Sequence, residues 1–202
     1  MKYFWLFQDD KNYQPADKVY WHDKILGATV LKLFPATVKP NHLTIFRFLS
    51  TPFVLTVTAL GKYQWALWLF LIVAFSDALD GSMARLRNQI TDWGKIYDPL
   101  ADKLLIGSMI FAIVLRYIDF WAAMVIIILE IIIIASAWWH KHNNQILQAN
   151  IWGKIKMILQ VAGTTFLLLA IVFNFDALLP FGAGAFYLAI AFAIISLLTY
   201  GI

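Results

Sequence analysis

Twenty-six residues, DALDGSMARLRNQITDWGKIYDPLAD from Asp77 to Asp102, constrain this chain more than any others. Asp77, Asp80, Asp98 and Asp102 stand there in two pairs, three and four residues apart, so each pair falls on one face of a helix. Asp92, between the pairs, reads as a solvated residue of the connection. The sequence around them is mostly hydrocarbon: 61% of the 202 residues are hydrophobic and only 14% are charged. Such a composition belongs to a helical protein that crosses a membrane several times. A carboxylate in a bilayer is costly without a partner, so two such pairs on neighbouring helices need a cation between them. A pair of divalent metal ions is the simplest candidate.

Apolar runs and their breaks divide the chain into a segment 1–39 and a membrane unit 40–202. The first residues, MKYFWLFQDDKNYQ, have no small-residue cleavage site and do not read as a signal peptide; residues 1–19 read as a polar tail. Residues 20–34, YWHDKILGATVLKLF, mix apolar side chains with His22, Asp23, Lys24 and Lys32 and stop at Pro35. They are too polar to span and predict an amphipathic helix lying in the membrane interface. Six spans are predicted over 42–60, 63–85, 93–117, 120–139, 151–173 and 177–200, with Asn41 as N-cap of the first. The expected class is an all-α integral membrane protein of six transmembrane helices preceded by an interfacial helix.

Lysine and arginine crowd three regions: residues 1–39, the connection holding Arg85, Arg87 and Lys95, and the one holding Lys141, Lys154 and Lys156. The opposite loops have only Lys62 and Arg116, so both termini and the acidic stretch are expected on the cytoplasmic side. The formal charge of +4 then reflects this bias and attraction to anionic lipid rather than nucleic acid. With no cysteine, disulfides and thiolate metal sites are excluded. At the rise of an α-helix, Asp77 lies roughly 21 Å into the second span and Asp98 and Asp102 roughly 8–14 Å into the third. All four can meet in the cytoplasmic third of the bilayer.

Carboxylate oxygens suit hard ions such as Mg2+ and Mn2+, and two such ions can clamp a phosphoryl group for in-line displacement. The neighbouring residues fit a phosphate-bearing ligand. Gly81 and Ala84 remove bulk beside Asp80, Arg85 offers a charged fork, and Gly94 opens the start of the next helix. Pro99, near the start of the third span, is placed to help aim Asp98.

Written out, D-x2-D-G-x2-A-R-x8-G-x3-D-x3-D resembles the signature of the CDP-alcohol phosphatidyltransferase family, and the likeness extends to the six-span layout and the interfacial helix. The resemblance implies that an alcohol hydroxyl attacks the β-phosphorus of a CDP-linked lipid and releases CMP. It implies two metals held by Asp77, Asp80, Asp98 and Asp102, with Asp98 and Asp102 catalytic and Asp102 the base for the incoming hydroxyl. Gly81, Ala84, Arg85 and Gly94 would face the CDP-lipid. Asn41, Thr44 and Arg47 read either as substrate contacts on that side or as a helix cap and a snorkelling cation. The resemblance also suggests a homodimer in a bacterial cytoplasmic membrane, for which the apolar third and fourth spans are the expected surface.

Three further stretches resemble the bacterial phosphatidylglycerophosphate synthase branch: Pro40-Asn41-His42-Leu43-Thr44 with Arg47 and Pro52, Asp98-Pro99-Leu100-Ala101-Asp102-Lys103, and Gly153-Lys154-Ile155-Lys156-Met157 with Gln160. The implied acceptor is glycerol 3-phosphate, whose phosphate Lys154 and Lys156 would hold. Met157 stands where that branch has Thr, and Leu129-Glu130 where it tends to have Arg-Glu. Inositol phosphate, phosphatidylglycerol, serine or another alcohol therefore stay open as acceptors, and Glu130 carries no assigned role. A divalent-cation transporter is the reading from another class, but its acids would be spread through the bilayer depth rather than crowded at one side.

Overall fold

A computed structural model of the protein describes residues 19–35, 37–142 and 151–199. The tail expected over 1–18, the connection 143–150 and Tyr200 of the sixth expected span lie outside the described residues. Every regular element among the described residues is helical. In chain order these are α1 (Trp21–Ala28), a 3-10 turn (Val30–Leu33), α2 (Pro40–Ala59), α3 (Tyr63–Leu86), α4 (Asp92–Met109), a π turn (Ile110–Val114), α5 (Leu115–Tyr117), α6 (Phe120–His142), α7 (Ile151–Phe173), a 3-10 turn (Asp176–Leu178) and α8 (Leu179–Thr199).

Four of these stretches, α2, α3, α7 and the run Asp176–Thr199, are long and apolar enough to cross a membrane. The fourth expected span contributes a shorter apolar run, Phe120–Ser136. The third is diluted by Lys95, Asp98, Asp102 and Lys103, so the acids that mark it also lower its hydropathy. Nor is it one continuous α-helix, because Ile110–Val114 widens into the π turn.

Two starts differ from expectation by a residue or so. Pro40 is the first residue of α2, where its fixed φ is preorganised and its missing N–H costs nothing, so Lys39 and not Asn41 is the N-cap. Helix α4 begins at Asp92, which is therefore helical rather than part of the connection. Its N-cap, Thr91, accepts a hydrogen bond from the Gly94 N–H at 3.0 Å.

The main core is apolar and lies between α2, α3, α4, the π turn, α6, α7 and α8, around Leu67, Phe70, Met109, Ile113, Leu167 and Phe186. Helices α7 and α8 touch through glycine. A Cβ on Gly163 would meet Phe186 at 2.9 Å and the Gly182 carbonyl at 3.2 Å, and one on Gly182 would meet Leu167 at 2.6 Å. Small residues permit that approach where lipid supplies no hydrophobic drive between helices. Ile45, Leu49, Phe53, Trp65, Trp68 and Ile72 stay exposed, an outer surface suited to hydrocarbon.

The N-terminal segment is broken at Thr29 (φ −111°, ψ −92°) into α1 and the 3-10 turn. It folds back on the end of α3, where Leu31, Leu43, Leu79 and Met83 form a second, smaller core. Arg87 fastens the strap that follows, donating to the carbonyls of Phe34 and Val38 at 2.9 Å each. Trp21, Ile25 and Leu33 are exposed.

Candidate active site

Helices α2, α3 and α4 each bring polar side chains to one place. Along α2, Thr44, Arg47, Thr51 and Thr58 are all buried, a polar stripe at helical spacing that faces α3 and α4. Arg47 is 0% exposed and holds three of the four paired aspartates. Its Nη1 donates to Asp102 Oδ1 at 2.5 Å and lies 3.3 Å from Asp77 Oδ1, while Nη2 donates to Asp80 Oδ2 at 2.5 Å. Asp98 accepts from Thr44 Oγ1 at 2.5 Å.

The predicted convergence of the two pairs is therefore present, with Arg47 as the cation between them. Among the described residues no three His, Asp or Glu side chains stand in metal-ligating geometry, because three acids are turned onto Arg47 and the fourth onto Thr44. A snorkelling role does not describe a guanidinium buried among three carboxylates. The repeated polar positions along α2 were the available signal for its inward aim. Arg47 Nε is buried and makes no hydrogen bond.

Beside this cluster a cleft of about 130 Å³ opens. Asn41, Gly81, Ala84, Arg85, Gly94 and Asp98 line it, which brings together every sequence-predicted CDP-lipid residue except Thr44. Glycine stands at two of its walls, tightly packed at Gly94 and in ordinary contact at Gly81. A Cβ on Gly94 would come 3.1 Å from Asp98 Oδ2, 3.2 Å from Thr91 Oγ1 and 3.5 Å from Asn41 Oδ1, and one on Gly81 would meet Arg85 Nη1 at 3.4 Å. Asn41, released from capping, accepts from Thr91 Oγ1 at 2.9 Å and ties the start of α2 to the start of α4.

Arg85 is held from behind. Asp23 of α1, 0% exposed, accepts from Arg85 Nε at 2.8 Å and Nη2 at 2.7 Å, from Ser82 Oγ at 2.6 Å and from the Tyr20 N–H at 2.8 Å. The bidentate Arg85 guanidinium holds the Asp23 carboxyl well below the usual carboxylate range, against the opposing effect of burial. Sequence reasoning gave Asp23 no part, since its side-chain partners Ser82 and Arg85 lie about sixty residues away.

The two predicted acceptor lysines do not face the same way. They are two apart on α7, and Lys154 is exposed while Lys156 is buried. Lys156 Nζ donates to Glu130 Oε1 of α6, which also accepts from Gln160 Nε2 at 2.9 Å, and Lys103 of α4 is within Coulombic reach of both charges. Glu130 Oε2 is buried without a hydrogen bond.

Sequence comparison adds the relatives. The chain is 29% identical over 203 aligned residues to the CDP-diacylglycerol–glycerol-3-phosphate 3-phosphatidyltransferase of Mycoplasma pneumoniae, covering 81% of this chain and 88% of the relative. It is 29% identical to the protein of the same name from Bacillus subtilis (78% and 90% covered) and 31% identical to that of Salmonella choleraesuis (64% and 75% covered). The family model for CDP-alcohol phosphatidyltransferases matches residues 37–199, which takes in the acid–arginine cluster, the cleft and every helix from α2 to α8. The chain belongs to the CDP-alcohol phosphatidyltransferase family and is an enzyme of that class, with transferase relatives in bacterial phospholipid synthesis.

Proposed function

We propose that this enzyme transfers the phosphatidyl group of CDP-diacylglycerol to glycerol 3-phosphate, releasing CMP. The observation that carries the proposal is the cleft that gathers Asn41, Gly81, Ala84, Arg85, Gly94 and Asp98 against the acid–arginine cluster. The names of the bacterial relatives favour glycerol 3-phosphate as the acceptor. The layout behind this is six spans preceded by an interfacial helix, the tail and helix of 1–39 leading a membrane unit 40–202. Both termini and the cleft face the cytoplasm, and the protein works as a homodimer through its third and fourth spans. Exposed Leu104, Phe111, Ile128 and Ile131 on those spans support such a surface.

Three carboxylates gathered on one cation, with the fourth, Asp98, beside them on Thr44, form an all-oxygen donor set that suits Mg2+ or Mn2+. Asp77, Asp80, Asp98 and Asp102 would hold two such ions once released from Arg47 and Thr44. When bound, the ions neutralise the diphosphate and stabilise the charge that grows on the leaving phosphate.

The chain's own residues do the rest. Arg85 and the start of α4 receive the cytidine diphosphate in the cleft, with Gly81 and Gly94 giving it room. Asp102 orients the acceptor hydroxyl and takes its proton as the oxygen attacks the β-phosphorus. The bond from that phosphorus to CMP then breaks, and CMP leaves. Lys156 draws the acceptor's phosphate toward α4, with Lys154 at the mouth of the same span.

The test is CMP release by purified protein in detergent with CDP-diacylglycerol and Mg2+, offering glycerol 3-phosphate, inositol phosphate, serine or phosphatidylglycerol in turn. Release driven by glycerol 3-phosphate is expected, and release driven only by another acceptor would overturn the branch. Asp102→Asn should lower turnover by about a thousandfold in a protein that still folds. Wild-type turnover by that variant would remove Asp102 from the chemistry.

A further inference from the structure

Asp23 lies outside the signature and on a helix expected to rest in the membrane interface, yet it is among the most completely engaged side chains described. Each carboxylate oxygen accepts two hydrogen bonds: Oδ1 from Ser82 Oγ and Arg85 Nη2, Oδ2 from the Tyr20 N–H and Arg85 Nε. The Tyr20 ring lies 5.6 Å from the guanidinium carbon. A helix cap needs only one of these contacts. Two of the other three fix the plane of the Arg85 guanidinium, and the third, from Ser82, steadies the carboxylate that does so.

That plane has a direction. Asp23 grips the Nε–Nη2 edge, which leaves Nη1 beside Gly81, where a Cβ would come within 3.4 Å of it. Both Gly81 and Arg85 line the cleft. An arginine has several rotatable bonds and loses about 2 kcal/mol of rotamer entropy when fixed. A guanidinium aimed before a ligand arrives does not lose that freedom on binding.

We propose that Asp23 is a positioning residue: from the interfacial helix it holds Arg85 with Nη1 turned into the cleft, ready for an oxygen of the nucleotide diphosphate. The inference rests on the cleft being the CDP site. It makes α1 part of the binding apparatus rather than a membrane anchor alone. The competing account is a staple that merely fastens α1 to α3, and stability alone does not separate the two.

The experiment measures CMP affinity by calorimetry and the KM and kcat for CDP-diacylglycerol, on the full chain in detergent micelles with Mg2+. Asp23→Asn should weaken CMP binding and raise KM by about tenfold each while kcat stays within about twofold, and Asp23→Glu should recover part of the loss. Arg87→Ala is the control, because Arg87 fastens the same N-terminal segment to α3 without lining the cleft. It should lower the melting temperature without moving CMP affinity. Unchanged CMP affinity in folded D23N, or an equal loss in R87A, would overturn the positioning role. A wild-type protein that binds no CMP would overturn the reading of the cleft and this role with it.

Discussion

Arg47 and Lys156 are both cations buried in an apolar helical protein, and the charge around them is opposite in sign. Arg47 faces Asp77, Asp80 and Asp102, with Asp98 close by on Thr44, so its surroundings keep a surplus of negative charge. Lys156 shares one carboxylate, Glu130, with Lys103 in reach, so its surroundings keep a surplus of positive charge. The two clusters meet at consecutive residues of α4, Asp102 and Lys103, which point about 100° apart on a helix. One face of α4 suits cations and the next suits a phosphate. The proposed transfer to glycerol 3-phosphate would need both within a short distance, and a helix provides this in a single residue step.

Arg47→Met attacks the first cluster and should have the largest effect on stability. Leaving the buried Asp80 and Asp102, and the partly exposed Asp77, unpaired costs about 3–5 kcal/mol, read as a lower melting temperature. Mg2+ should return more of that loss to the variant than it adds to the wild type, since the metal and the guanidinium compete for the same oxygens. A variant whose melting temperature ignores Mg2+ would break the contrast between the clusters. Glu130→Gln attacks the second and should cost about 2 kcal/mol, because it leaves a buried lysine without its counter-charge. Its kinetic mark should be a changed KM for glycerol 3-phosphate with CMP inhibition unmoved; the reverse pattern would place Lys156 on the nucleotide side. The smallest effect is expected where charge plays no part. Gly182→Ala between α7 and α8 should cost about 1 kcal/mol, the low end for overpacking, through contact with Leu167 and leave both KM values alone.

The acid pairs were legible in the sequence because their spacing carries the geometry: residues three and four apart share a helix face whatever surrounds them. The small residues beside them were legible for a similar reason. Arg47 was harder, since a lone arginine near the start of an apolar span reads equally as snorkelling or as buried, and only the rotation of α2 against α3 and α4 decides. Asp23 was harder still. In a short amphipathic helix an acid beside a tryptophan and a lysine looks solvated, and its partner Arg85 is 62 residues away. The lysine pair was legible as two cations at one end of a span, whereas their different burial, with Lys154 exposed and Lys156 buried on Glu130, depends on how α7 packs against α6. The helical class followed from composition, whereas α4 is less apolar than the other long helices because it carries Asp92, Lys95, Asp98, Asp102 and Lys103.

The π turn at Ile110–Val114 has a use that its apolar sequence conceals. It takes up surplus chain length inside the third expected span, between the half that aims Asp98 and Asp102 and the half whose Tyr117 meets the Tyr63 ring edge-on at 5.9 Å. It works like a vernier between two scales. The far end can be adjusted to its neighbours by a residue while the near end keeps its angular setting toward Thr44 and Arg47.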